Sequence, residues 1–520
     1  MRKGSFLVAL LFIAASGHAR EERKGPGLGL VDSHIQKSWE DAGVAPTRVA
    51  DDAEFLRRLS LDVLGTIPSA EEALAFIQDA RSDKRVRKIN EILSRPEYAQ
   101  HWAEVWEDIL IGYDNQNRQQ SKRALYAWLR DECFAKNRPY DQMAQALITA
   151  KGVNQEYGAV NFILRQGTKG AGAINIASKV AKTFLCTQIQ CAQCHDHPFD
   201  RYTQEDFYGM VGFFARVAQK KVDAKDQKDQ RVELYENVKG DASYGEGKDR
   251  KTVAPRFLDG ATPDPAKERR EEFARLLIRR DNLQFARAVV NRYWAHFFGR
   301  GIVHPVEDFS GRFKPSHPEL LDELAREFVA WGYDLKWLVW KITGSRTYQL
   351  SSRVSPKKAP HERYFAVALT RPLTPEQIYA AMTRVLNADD APATDPKVAE
   401  KMGNAKDNLL REFRKFFGDE ENVDIGTFNG TIQQALLLMN GGTVNQGIAG
   451  KGSRLGVILK ERDARIERLR FIFLTVLTRL PSDREQSTYL PYVTAAGGKR
   501  EAYEDVYWTL VNSSEFLFNH

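Results

Sequence analysis

Apolar residues recur three and four positions apart through most of this 520-residue chain, and that period restricts it to a mostly α fold. Residues 51–64 show it well: Phe55, Leu56, Leu59, Leu61 and Leu64 fall on one side, with Arg57 and Arg58 on the other. Residues 72–77, 86–93 and 102–111 repeat the pattern. Ser69, Thr374 and Ser482 each stand three residues before a Glu or Gln, so each reads as a capping box at a helix start. The three boxes follow similar helix-and-turn stretches at 61–68, 368–373 and 474–481, but at irregular spacing. A shared helix–turn–helix packing solution therefore fits better than a solenoid, whose period is fixed.

The helical pattern breaks between 217 and 262. Residues 219–230 are almost wholly polar, residues 232–238 partly alternate, and residues 240–249 are rich in glycine and charge. Alternation bounded by turn residues predicts a small β-hairpin insertion. The expected organisation is two multi-helical domains, at 28–216 and 263–520, with the insertion at 217–262 between them.

Arg2 and Lys3 precede an apolar run over 6–15 and then Ser16-Gly17-His18-Ala19. A basic start, a short apolar core and small residues describe a secretory signal peptide, so residues 1–19 are expected to be removed on export. The run falls short of the roughly 20 residues that a membrane span needs, and no later stretch is apolar enough. A periplasmic or secreted location without a membrane span follows. The net charge is only +7, and Lys220, Lys221 and Lys225 are diluted by Asp223 and Asp226. Nucleic-acid binders usually concentrate their basic residues in a stripe, so no nucleic-acid partner is expected. Neither a Gly-x-Ser-x-Gly elbow nor a phosphate-binding glycine loop is present, so nothing marks a hydrolase or a nucleotide enzyme.

Only four cysteines occur, and three of them, Cys186, Cys191 and Cys194, lie within nine residues. Their role is local. Cys191-Ala192-Gln193-Cys194-His195 has the C-x-x-C-H form of a c-type haem attachment sequence. Two thiols one turn apart can add to the two vinyl groups of one haem, and the adjacent histidine reaches the iron. Met210 and His197 are the candidates for a sixth ligand. The same atoms admit other readings. Cys186, Cys191 and Cys194 with His195 or His197 match the donors of a tetrahedral zinc site, with Asp200 as a further oxygen donor. A disulfide, Cys133 to Cys186 or Cys191 to Cys194, needs no cofactor at all. An iron–sulfur set needs the distant Cys133 and a looped rather than helical approach. The residues alone leave a redox protein and a non-redox helical scaffold both open.

Residues 184–201, containing Cys191-Ala-Gln-Cys-His-Asp-His-Pro-Phe-Asp, and residues 55–68 resemble the planctomycete secreted cytochrome-type domain. Residues 291–305 and 315–321 resemble its usual C-terminal partner, a second planctomycete secreted domain of unknown function. The resemblance covers nearly all of the chain after the signal peptide. It implies a secreted protein proposed to carry haem, without an established activity, and assigns Cys191, Cys194 and His195 as attachment and ligand residues. Two departures stand out. Cys186 occupies a position where a small residue such as glycine is expected, which keeps the metal and disulfide readings alive. The additional N-terminal cytochrome domain of many relatives is missing, which weakens a multi-haem relay.

A second constellation follows at 291–322. Arg292 and His296 lie at helical spacing beside Asn291, with Asp308 and His317 in loops. Together they have the chemistry of a binding cleft or a general acid–base pair. Ser316 reads as a helix cap, and Trp294 and Phe297 as core.

Overall fold

The computed structural model describes residues 29–112, 119–222, 231–354, 362–387, 442–450 and 452–520. The predicted signal peptide and the polar stretch 223–230 lie outside these residues. Helices dominate, as the periodicity requires, and the strands are few and short.

Helices α1 (Leu30–Ala42), α2 (Asp52–Leu64), α3 (Ala70–Gln78), α4 (Lys84–Ser94) and α5 (Pro96–Ile111) open the chain. Asp51 and Ser69 cap α2 and α3 by accepting backbone N–H groups of the first turn. Helix α6 (Gln119–Trp128) passes into a π turn over Leu129–Phe134, and α7 (Tyr140–Thr149), α8 (Val160–Arg165) and α9 (Gly172–Leu185) follow. Helix α10 (Gln204–Gly212) closes this part behind a full Thr203–Asp206 capping box.

The break in helical pattern carries most of the strands. Strand β1 (Gly152–Val153) pairs antiparallel with β3 (Val232–Glu236), whose other edge holds β2 (Val217–Lys221), with Gln219 opposite Leu234. Strands β4 (Ala242–Tyr244) and β5 (Lys251–Val253) form a separate hairpin.

Helices resume with α11 (Arg269–Ile278), α12 (Leu283–Phe298), α13 (Pro318–Ala330), α14 (Leu335–Thr343) and α15 (Pro375–Leu386). After them come α16 (Gly442–Ala449), α17 (Arg454–Glu461), α18 (Arg465–Leu477), α19 (Asp483–Ala495), α20 (Arg500–Val511) and α21 (Ser514–Leu517). The Thr374 and Ser482 boxes both form. Ser316 does not cap α13. His317 holds the N-cap position, and the Ser316 hydroxyl donates instead to Ile302 O at 3.2 Å. Strand β6 (Arg371–Pro372) pairs with β7 (Phe518–Asn519), fastening the end of the chain.

Helices from before and after the β segment pack directly on each other: α9 on α12, α7 on α11, α1 on α13 and α3 on α18. Trp294 and Phe297 are buried in this core, as expected. Buried arginines join the same halves. Arg58 pairs with Glu54 at 2.7 Å and donates to Tyr348 O and Leu350 O, while Arg57 donates to Phe516 O at 2.9 Å. These guanidiniums satisfy carbonyls at chain reversals that water cannot reach.

Candidate functional site

The Cys/His segment begins where α9 ends. The helix stops at Leu185, although Ile189 lies at helical spacing beyond it. Cys186 takes a left-handed conformation (φ 49°, ψ 39°), and its N–H returns to Ala181 O. That is a helix C-cap normally held by glycine. Its thiol is 0% exposed, 3.8 Å from Ala288 O and 4.0 Å from the Arg292 guanidinium. Burial pushes it up to about 11, against the opposing pull of Arg292. A thiol held protonated under α12 is a packing group.

A 3-10 turn over Ile189–Gln193 follows. Residues i and i+3 eclipse in such a turn, which sets Cys191 and Cys194 on one side. Both are exposed and free, while Ala192 between them is buried. His195 is exposed, and its Nδ1 lies 2.7 Å from Asp196 O. A nitrogen facing a carbonyl must donate, so in the neutral ring Nε2 keeps its lone pair free.

His197 is different. Its Nδ1 accepts the Phe199 N–H at 3.2 Å, so Nε2 bears the proton and donates to Gln188 O at 3.1 Å. Both nitrogens are consumed in stapling the loop across the 3-10 turn. Asp196 accepts the Gln204 N–H at the start of α10, and the Gln204 side chain donates to Gln193 O at 2.8 Å. Asp200 accepts the Arg201 N–H. The polar cluster after the motif thus builds a rigid loop. Met210 is fully buried in α10.

The zinc donors named from sequence are not brought together. Cys186 lies in the core, His197 is spent on the backbone, and among the described residues no three His, Cys, Asp or Glu side chains form a metal-holding group. No disulfide joins Cys133 to Cys186, because all four thiols are free.

The second constellation is likewise dispersed. Arg292 donates to Thr183 O at 2.8 Å and pairs with Glu307 at 2.9 Å. His296 donates to Asp62 O at 2.8 Å. Asp308 accepts the Ser310 N–H, and His317 packs on Phe365 with Nδ1 3.0 Å from the Ser316 hydroxyl. Burial lowers the His317 pKa to about 4, with Arg363 and His34 adding to the shift. A cleft of about 900 Å³ lined by Asp51, Arg353, Arg479 and His520, among others, includes none of the candidate site residues named from sequence.

Residues 30–219 match the family model described as PSCyt2, a protein of unknown function (DUF1549), and residues 269–422 match PSD1, a protein of unknown function (DUF1553). Over these residues the chain carries a PSCyt2 domain followed by a PSD1 domain. This order is that of the planctomycete cytochrome-type domain and its C-terminal partner. No curated protein and no solved structure matches the chain.

The motif lies wholly within PSCyt2, but PSD1 braces it. Phe309 N–H donates to Cys186 O at 2.8 Å, and Glu307 of PSD1 pairs with Lys182 of PSCyt2 at 3.0 Å. Arg312 of PSD1 lies over the Phe199 ring. On another side Tyr208, whose phenol is raised by burial and then by Cys194, stacks on Tyr244 at 5.0 Å. Sequence reasoning missed Arg312, Glu307 and Tyr208, which no local pattern links to the motif. The Thr203–Asp206 cap was legible in the sequence and would have marked where the loop ends.

Proposed function

We propose that this chain is an exported redox-type protein carrying one covalently attached c-type haem, and that it works in electron transfer or haem-linked oxidation outside the cytoplasm. The observation that carries the reading is the His195 ring, anchored through Nδ1–H to Asp196 O with Nε2 free. A metal-ligating histidine characteristically donates its second nitrogen to a carbonyl, which fixes the tautomer and raises ligand basicity. When bound, the haem supplies one-electron exchange between ferric and ferrous iron.

The chain's own residues have separate tasks. Cys191 and Cys194 present both thiols from one turn, open to an attaching enzyme. His195, with Nε2 free, would hold the haem iron. His197 and Asp196 hold the loop, so the three attachment residues keep their spacing without a cofactor. Tyr208 and Tyr244 offer an aromatic wall beside Cys194. The burial of Cys186 favours haem over a zinc site that recruits that thiol. The basic and apolar N-terminal segment supports export to the compartment where such attachment occurs.

Elemental analysis of protein made in a haem-attaching periplasm tests the reading. Roughly one iron per chain is expected, lost in the Cys191→Ala/Cys194→Ala double variant. Stoichiometric zinc without iron contradicts it.

A further inference from the structure

Phe199, four residues beyond His195, is 55% exposed although it belongs to a loop pinned by its own N–H to His197. Arg312 lies across that ring, with its guanidinium carbon 4.4 Å from the centroid, and 5.2 Å from the Phe313 ring. The two rings hold the guanidinium without neutralising it, and among the described residues no carboxylate pairs with Arg312. Its loop is fixed to the base of the motif by Phe309 N–H to Cys186 O, and by Glu307, which meets both Arg292 and Lys182. A planar fork held in place, exposed and without a counter-ion, suits bidentate recognition of a carboxylate.

We infer that Arg312, stacked on Phe199, binds a propionate carboxylate of the haem carried by Cys191, Cys194 and His195, so that the cofactor site is built from both domains. The inference rests on the haem reading above. It gives the PSD1 domain a direct part in a site whose attachment motif lies in PSCyt2.

The sign of the effect follows from charge. A guanidinium on the propionate disfavours the more positive ferric state, so its removal stabilises ferric haem. It also holds the propionate ionised, so its removal raises the pH at which the carboxylate takes a proton.

Redox titration of the haem-loaded full chain, as parent, Arg312→Gln and Arg312→Lys, tests this. Arg312→Gln is expected to remain fully loaded by intact mass, because Arg312 is exposed and touches no attachment residue. Its ferric-to-ferrous ratio at fixed potential should rise about tenfold, which is a midpoint fall of about 59 mV for one electron. The pH at which its midpoint becomes proton-dependent should move up. Arg312→Lys should recover part of both shifts. A fully loaded Arg312→Gln protein with the parent midpoint and the parent pH profile overturns the inference and leaves the haem reading standing. A parent chain that takes up no haem overturns both.

Discussion

Two histidines separated by a single aspartate have opposite fates at residue scale. His195 uses one nitrogen on Asp196 O and offers the other, whereas His197 spends both on the loop backbone. Their alanine variants should therefore fail differently. His195→Ala is expected to keep covalent haem but change the iron's axial ligation, seen as a shifted Soret band, with little loss of stability. His197→Ala is expected to keep the ligation spectrum while losing about 0.5–1.5 kcal/mol in urea unfolding, because two solvent-accessible hydrogen bonds to the loop backbone are replaced by water. The C-x-x-C-H string makes the first role legible in sequence. Nothing local separates the second, since the tautomer of His197 depends on Gln188, which reaches it only after the 3-10 turn forms.

At the scale of elements, helix starts were the most legible feature. Ser69, Thr374 and Ser482 cap as their spacing predicts, because a cap is decided within four residues. Helix ends were less so. Apolar residues continue past Leu185 to Ile189, yet α9 stops, because Cys186 turns left-handed so that Phe309 of the second domain can bond its carbonyl. The position of Cys186 follows from that geometry: a left-handed residue costs roughly 1–2 kcal/mol unless it is glycine. Cys186→Gly should relieve this strain while leaving a small void. Thermal unfolding is expected to shift by no more than about 1 kcal/mol, with iron content unchanged. Loss of the metal in this variant would return Cys186 to the ligand set.

The whole molecule is held at a junction that no sequence window contains. Beside it, α5 of the first half and α12 of the second bring His101 and His296 together at a ring distance of 5.8 Å, and Trp102 stacks on Tyr293 at 4.4 Å. Asp62 accepts from Arg371, the Tyr348 hydroxyl and Asn519 there. The mostly α class was readable from periodicity, but these pairings join residues hundreds of positions apart and emerge only from packing. Acid should loosen the junction. Burial, and then His296, lower His101 to about 3, well below the value of about 6.5 expected in the unfolded chain. The unfolded chain therefore takes up the proton first. The stability from a neutral His101 is complete above about pH 6.5 and declines as pH falls toward 3, by about 1.4 kcal/mol per pH unit. Urea unfolding between pH 4 and 7 checks this, with a shallower slope expected for His101→Asn.

A haem held by Cys191, Cys194 and His195 has a distinctive spectrum and mass. Its presence is tested most directly by the pyridine haemochrome spectrum and intact mass of the full chain, exported to a periplasm equipped for haem attachment. A c-type haemochrome and the mass of the signal-cleaved chain plus one haem are expected. A colourless protein of unmodified mass would contradict the haem reading.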